Sequence, residues 1–486
     1  STPDGFTLRE HIPHVIARLI QENGMLADHI VGAGKSLVMF IGCMELKRLG
    51  IAKKPILTVL KSTIPQMREA FRRFYPNAKI LAPTNAEFNK GSRQLFLSKI
   101  AANDWDCIVI SHEQLAMIPV DEEIKREWVK KELSELETLY HDFKSNDKSK
   151  EAIRVLNQIE KKEIKLQNLL NIKKDDNTLT FGQLGIDHIM VDEWHLKYKN
   201  LFFTTQLTNT AGLGNPSGSK RAENFYLLCK SIHKKLNAEK GITLLTGTPI
   251  TNSLTELYTI FRQMREVEYL DNKGMLNFDD WRVQYAEVST EFEFDVSGKV
   301  KTKNRLRNFI NLPELSQQYL QIADVRNDSN INLPKPKMRT GDLILRTSKM
   351  SKEQAKYMQD INKLITAKSI DKIPTTLNLP ITNDETAYKY LAAKGVLGAT
   401  LAQKVSVDTR LMHLRNDMPD YANPKVANVQ TLPFGKLSDC IRNVAAIYYQ
   451  SRKQKGVQIV FCGVGTPKRK NDFSIYDVCL LYTSDA

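Results

Sequence analysis

Gly32-Ala33-Gly34-Lys35-Ser36 stands between a short apolar run, Met25–Ala27, and a helix-forming stretch, Ser36–Leu49. A phosphate chain needs backbone N–H groups converging from a tight turn, a helix N-terminus and a mobile cation. The two glycines permit the turn, Lys35 reaches the β and γ phosphates, and the Ser36 hydroxyl ligates Mg²⁺. The full pattern has glycine or alanine five positions before Gly34, where His29 stands. A glycine turn beside a surface lysine would look the same, so these five residues need support from elsewhere in the chain.

Two further strand ends carry polar chemistry. Ile189-Met190-Val191 runs straight into Asp192-Glu193-Trp194-His195. In a parallel sheet, a carboxylate at the C-terminal end of a strand sits in the crevice where ligands bind. Asp192 is suited there to hold hydrated Mg²⁺, Glu193 to orient or deprotonate an attacking water, and His195 to sense the neighbouring loop. Leu244-Leu245-Thr246-Gly247-Thr248-Pro249 is the third such end, with hydroxyls able to bond to His195 or to the acidic pair. Taken singly, an acidic pair after an apolar run is a helix start, and Thr-Gly-Thr-Pro is a turn. Taken in order with Lys35, the three imply one phosphate-binding sheet edge.

Apolar runs and helical stretches alternate around these motifs. Pro55–Leu60, Lys79–Ala82, Cys107–Ile110, Ile186–Val191 and Gly241–Leu245 read as strands. His14–Gln21, Ile64–Phe74, Ser92–Ala101, Glu223–Leu236 and Asn252–Met264 read as helices. The class is α/β, with a parallel sheet covered on both faces. Residues 121–176 break this rhythm with thirteen basic and fourteen acidic side chains. Their spaced apolar positions, among them Leu133, Leu136, Ile153 and Leu156, predict two charged antiparallel helices that project from the lobe. Residues 271–435 read as a basic, irregular linker with a helix over Ser351–Ala367. A second α/β unit opens near Lys436 with a helix and the strand Val457–Cys462.

The 486 residues carry 70 basic and 55 acidic side chains, a net charge of +15, and are 42% hydrophobic. That composition excludes a disordered chain, a collagen-like one and a small disulfide scaffold. No apolar run is long enough to cross a bilayer, so no membrane partner is expected. The six cysteines form no C-x-x-C pair, which removes the usual zinc and iron–sulfur spacings and fits a reducing, cytoplasmic compartment. The chain opens at Ser1 without a leader pattern, as a piece of a longer polypeptide would. Lys299–Lys349 and Arg452–Lys470 carry most of the positive charge, a surface that concentrates polyanions.

Together the three strand-end motifs resemble motifs I, II and III of superfamily 2 helicases. Leu26-Ala27-Asp28 and the continuation Ile250-Thr251-Asn252-Ser253-Leu254-Thr255-Glu256-Leu257-Tyr258 are similar to the SNF2-like branch. Val59–Phe71 looks like motif Ia, Ser111-His112-Glu113-Gln114 like motif Ib, and Gln458-Ile459-Val460-Phe461-Cys462 like motif IV. The resemblance is to the helicase segment of phage- and plasmid-borne proteins in which an adenine-specific DNA methyltransferase domain precedes the motor. It implies a P-loop, RecA-like lobe in two parts, residues 1–120 and 177–270, split by the insertion at 121–176. The linker at 271–435 and a truncated second RecA-like lobe at 436–486 complete the expected layout. The implied activity is ATP-dependent translocation on DNA, or helicase action, in a bacterial or phage-infected cell. Duplex DNA is the implied track, with RNA left open.

The resemblance assigns Gly32, Ala33, Gly34, Lys35 and Ser36 to ATP, and Ser36 with Asp192 to Mg²⁺. It assigns Glu193 to water activation, and His195, Thr246 and Thr248, in a DEAH-like box and its partner turn, to coupling. Lys61, Ser62, Gln66, Ser111, His112 and Glu113 are implied contacts to the phosphodiester backbone, which position rather than specify.

Four departures are visible. Ser36 replaces the common threonine and keeps its hydroxyl. Trp194 replaces an alanine, and its ring is expected to crowd His195 against the third motif. The adenine-recognition glutamine expected after His11 is replaced by Ile12-Pro13. No arginine motif of the second lobe follows Cys462, so hydrolysis is expected to be weak in this chain. The competing reading is a truncated or degenerate module that binds nucleic acid or docks a partner without catalysis.

Overall fold

The computed structural model describes residues 6–84, 87–89, 92–171, 179–294, 300–333, 344–412, 435–454 and 458–464. The chain divides into two compact units, Ser1–Glu291 with Lys303–Lys335, and Phe292–Thr302 with Pro336–Ala486.

The first unit is built on a seven-stranded sheet in the order β10-β1-β7-β5-β2-β4-β3. Its strands are β1 (Leu26–His29), β2 (Pro55–Val59), β3 (Ile80–Leu81), β4 (Cys107–Ser111), β5 (His188–Asp192), β7 (Ile242–Thr246) and β10 (Ala323–Arg326). Every recorded pairing between them is parallel. β2, β4 and β7 are buried at each position, as strands covered on both faces must be. A second, three-stranded sheet has the order β6-β9-β8, from β6 (Thr210–Ala211), β8 (Ala286–Phe294) and β9 (Val300–Phe309).

One face of the main sheet is covered by α1 (His11–Glu22), α2 (Lys35–Arg48) and α3 (Ile64–Phe74), whose apolar stripes share a core with Leu57, Val59, Cys107, Val109, Met190 and Leu245. Pro65 sits in the first turn of α3, where its missing N–H costs no hydrogen bond. α4 (Arg93–Ala102), the single turn α5 (His112–Leu115), α6 (Glu122–Ser145), α7 (Ser149–Asn171), α8 (Lys220–Leu236) and α9 (Thr255–Met264) follow in chain order. α10 (Glu266–Tyr269), α11 (Phe278–Tyr285) and α12 (Leu312–Ile322) complete this unit. The larger core, which includes Ile56, Ile108, Ile189 and Leu244, takes in side chains from α4 through α12.

The charged insertion is the expected antiparallel pair, α6 and α7, but it does not project. Ile124, Trp128, Val129, Leu133 and Leu136 of α6, with Ala152, Val155 and Ile159 of α7, are buried in the main core. Trp128 packs on Tyr226 at 4.7 Å and on Phe202 at 6.4 Å. Lys165 bridges to Glu223 at 2.5 Å, and the buried Glu132 is paired with Lys162. Of the positions read as the apolar stripe, Leu133 and Leu136 are buried but Ile153 and Leu156 are exposed, and the buried stripe of α7 runs through Ala152, Val155 and Ile159 instead. The α6 stripe faces α8 and the Phe202 loop as well as α7.

The lobe also runs past residue 270. β10, from the stretch read as irregular linker, supplies the edge strand beside β1, with Leu26 opposite Ala323 and His29 opposite Arg326.

In the second unit, α13 (Lys352–Thr366), α14 (Asp384–Ala392) and α15 (Lys394–Val407) enclose a small core of Ile361, Leu364, Ile373, Leu377, Ala387, Leu401, Val405 and Met412. Ser351 caps α13 as expected, accepting from the Gln354 N–H. α16 (Lys436–Ser451) follows. The strand expected at 457–462 is not formed over residues 458–462, and Val457 lies outside the described residues. Ile459, Val460 and Phe461 are exposed, and no described strand lies beside them to pair their N–H and C=O groups.

Candidate nucleotide site and its family

Three neighbouring strands bring the sequence motifs to one place. β7 lies between β1 and β5, with Asp28 level with Thr246 and Asp192 level with Leu245. All three run parallel, so the turns after His29, Asp192 and Thr246 leave the same edge of the sheet. β2 and β4 end at that edge too, with Thr58 opposite Val191 and Val59 opposite Ser111.

The first turn begins where His29 stops pairing. The Ala33 N–H donates to the Ile30 carbonyl at 3.1 Å, and Gly34 enters α2 at a φ of 94°, a conformation that favours glycine. A helix start leaves its first N–H groups without intrahelical acceptors, and Gly34 has no side chain to cap them. Those groups fit an anion at the N-terminus of α2. Lys35 rests beside them, donating from Nζ to the His29 carbonyl at 3.0 Å, while the Ser36 side chain is exposed. α1 grips the turn from the side: His11 Nε2 lies 2.7 Å from the Ala33 oxygen, and Arg9 hydrogen-bonds the Gly32 carbonyl.

At the end of β5, burial and the Glu193 carboxylate push the Asp192 pKa up to about 6, against the opposing pull of Lys35 and a backbone N–H. Glu193 takes a left-handed φ of 49°, which turns the chain sharply. That turn sends Trp194 inward and returns His195 toward β7. His195 Nδ1 is 2.7 Å from Thr246 Oγ1 and 3.4 Å from Glu193 Oε2. Burial lowers its pKa and favours the neutral ring. Thr246 Oγ1 also accepts from the Thr248 N–H at 3.1 Å, so one hydroxyl joins the second and third motifs.

Trp194 does not crowd His195. It is fully buried, with Nε1 donating to Gln263 Oε1 at 2.7 Å, and Gln263 in turn donates to the Tyr198 carbonyl. α9 has room for the indole, so a large residue fits where an alanine is usual.

The expected backbone contacts divide into two groups. Lys61, Ser62 and Gln66 are exposed at the same sheet edge. Ser111 and His112 are buried, which corrects their assignment: Ser111 caps α5, and His112 Nδ1 meets the Tyr198 hydroxyl at 3.0 Å. Burial holds the His112 pKa down at about 4. Glu113 is partly exposed but anionic, and it faces Lys197 at 3.7 Å. Among the basic residues of β9, Arg305 and Arg307 lie 3.5 Å and 3.6 Å from Glu291, so part of that positive stretch is balanced within its own sheet.

Sequence reading placed Glu256 in a motif without giving it a role, and passed over Asp324. Glu256 is buried at the start of α9 and accepts from the Thr251 and Asn252 N–H groups while pairing with Lys199 at 3.0 Å. It fixes the turn that follows Thr248-Pro249. Asp324 is taken up below. Among the described residues no group of three or more His, Cys, Asp or Glu side chains is arranged to hold a metal ion.

Residues 18–327 match the family described as a probable helicase domain. The chain belongs to that family. The match ends just after β10, which places the edge strand inside the helicase domain. "Defense against restriction protein B" of Escherichia phage P1 is 25% identical over 273 residues, covering 54% of this chain and 11% of that protein. The chain thus spans about a tenth of the length of this relative. Two solved structures are similar at lower identity. The Sulfolobus solfataricus SWI2/SNF2 ATPase core in complex with dsDNA is 14% identical, with a TM-score of 0.36, covering 92% of this chain and 65% of that one. The UvsW helicase from Bacteriophage T4 is 11% identical, with a TM-score of 0.29, covering 54% and 60%. Among the described residues no helix is long and apolar enough to cross a membrane.

Proposed function

We propose that this helicase domain binds Mg-ATP at the C-terminal edge of β1, β7 and β5 and couples its hydrolysis to movement on DNA. The observation that carries the reading is the adjacency of those three strands, with Lys35, Thr246 and the Asp192–Glu193 pair emerging together. The N–H groups at the start of α2 and the Lys35 ammonium hold the triphosphate. The Ser36 hydroxyl and the Asp192 carboxylate would hold Mg²⁺, which when bound would supply charge neutralisation on the phosphates. Glu193 accepts a proton from the attacking water, and the preceding turn sets its carboxylate. The His195–Thr246 hydrogen bond links that carboxylate to the turn ahead of α9.

Lys61, Ser62 and Gln66 are the proposed DNA contacts of this lobe, through phosphate oxygens rather than bases. Translocation in the manner of the SNF2-like branch, and a methyltransferase domain in the parent polypeptide, rest on the motif resemblance. The test is ATP turnover with and without duplex DNA, with Lys35→Ala as control. Stimulation that disappears in the variant supports the proposal. Turnover unmoved by both DNA and the substitution would leave only a binding module.

A further inference from the structure

We infer that Asp324, on the edge strand β10, positions the phosphate-loop lysine by way of His29. The inference rests on the nucleotide reading of the site and goes past it, because Asp324 touches neither the turn nor Lys35.

The chain of contacts is short. His29 closes β1 with its imidazole fully buried, and Nε2 lies 2.8 Å from Asp324 Oδ1. Asp324 is itself held by Arg326, whose Nε and Nη2 donate to its two oxygens at 2.8 Å and 3.0 Å. The backbone is tied at the same level: His29 stands opposite Arg326, and the Ile30 N–H donates to the Arg326 carbonyl at 2.9 Å. The carbonyl fixed by this arrangement is the one on which Lys35 Nζ rests. From the other side, a side chain at Gly247 would stand only 3.1 Å from that oxygen, so the turn after β7 also lies close against it.

A buried polar cluster of this kind is not needed for stability, since a well-packed apolar pair commonly serves as well. What it supplies is a fixed geometry. Burial raises the Asp324 pKa, and hydrogen bonds from His29 and Arg326 more than offset that, holding it at about 2. The carboxylate therefore stays charged across the neutral range. The departure at position 29, which weakened the phosphate-loop motif as a pattern, thus has a partner: histidine stands there because β10 offers a carboxylate. Asp324 is a positioning residue, acting on ATP only through the His29 carbonyl.

The test is the dissociation constant of a fluorescent ATP analogue with Mg²⁺, measured beside the thermal midpoint, for His29→Leu, His29→Gln, Asp324→Asn and Lys35→Ala. Gln presents an N–H close to where the imidazole does, and so serves as the conservative rescue. The expected result is binding at least tenfold weaker in His29→Leu, weaker by a smaller factor in Asp324→Asn, and within twofold of the parent in His29→Gln. Parent-like affinity in His29→Leu and Asp324→Asn, with binding lost in Lys35→Ala, would overturn the inference and leave the site reading intact. Midpoints that fall while affinity holds would do the same, by assigning the pair to stability alone. Parent-like affinity in Lys35→Ala would remove the site reading, and this inference with it.

Discussion

His195 Nδ1 and Thr246 Oγ1 lie 2.7 Å apart, joining the turn after β5 to the end of β7. The same hydroxyl accepts from the Thr248 N–H, and Thr246 is fully buried. Thr246→Val keeps the shape and removes both bonds. Thr248 is exposed, so water can replace the lost acceptor, and the loss should be about 1 kcal/mol, a small fall in the denaturant midpoint. Nucleotide affinity should change little, because the triphosphate is proposed to be held by the N–H groups of α2 and by Lys35, while Thr246 lines the site through its bond to His195. DNA stimulation of turnover should fall by about tenfold or more, a change of about 1.4 kcal/mol or more in barrier. Stimulation unchanged in the variant would break the proposed link.

Arg262 fastens the inserted hairpin to the lobe. Its guanidinium lies over the rings of Trp128, Tyr226 and Tyr258 at 5.3 Å, 5.4 Å and 5.7 Å, and pairs with Glu266 at 3.1 Å. Lys131 and Lys230 approach the same carboxylate at 3.1 Å and 2.6 Å. Removing one partner of a buried pair costs about 3–5 kcal/mol, and the two lysines should hold Arg262→Ala near the lower end. Limited proteolysis should then cut within α6 and α7 well before the rest of the domain. Uniform cleavage across the lobe would show that the hairpin is not held by this cage.

Three buried histidines make the fold sensitive to acid. Burial lowers His112 to about 4 and both His188 and His233 to about 3, and among the described residues neither ring nitrogen of His233 has a hydrogen-bond partner. Each is neutral in the folded chain and titrates near 6.5 when unfolded, so the unfolded state binds more protons as the pH falls. Their stabilisation is present above about pH 6.5 and is lost as the pH falls, down to about 4 for His112 and about 3 for His188 and His233. Together they should steepen the loss by about 4 kcal/mol per pH unit between pH 6 and 4. Denaturant titrations across that range measure the slope. His233→Leu should reduce it by about a third, and an unchanged slope would assign the acid response to other groups.

Lys61 tests the DNA contact. It is exposed at the sheet edge beyond β2, while Ser111 and His112 are buried. Lys61→Ala should weaken binding to all duplex sequences alike and lower the salt dependence by about one phosphate contact. A loss confined to one sequence would argue for base reading instead.

Much of the sheet was legible because its central strands are short runs of apolar and β-branched residues that end in polar turns, as in Pro55–Val59 and Ile242–Thr246. β10 was not. Ala323-Asp324-Val325-Arg326 alternates charge with small apolar residues, and only the burial of Asp324 against His29 makes that pattern a strand. Ser111 and His112 looked like surface contacts because both are polar. The capping box at Ser111 is visible in Ser111-x-x-Gln114, but the inward turn of His112 depends on Tyr198, eighty-six residues away. The docking of the hairpin was hidden for the same reason, since its partners Phe202 and Tyr226 lie outside it. Trp194 was misjudged from its size, because the space it fills belongs to α9.

Lys35, the Asp192–Glu193 pair and Thr246 are proposed to surround one Mg-nucleotide. The most direct measurement is calorimetric titration of the chain with Mg-ATP, repeated for Lys35→Ala and for Asp192→Asn without and with Mg²⁺. The account expects one site per chain, lost in Lys35→Ala, and in Asp192→Asn an affinity that no longer improves when Mg²⁺ is added. Saturable binding that is indifferent to both substitutions would contradict it.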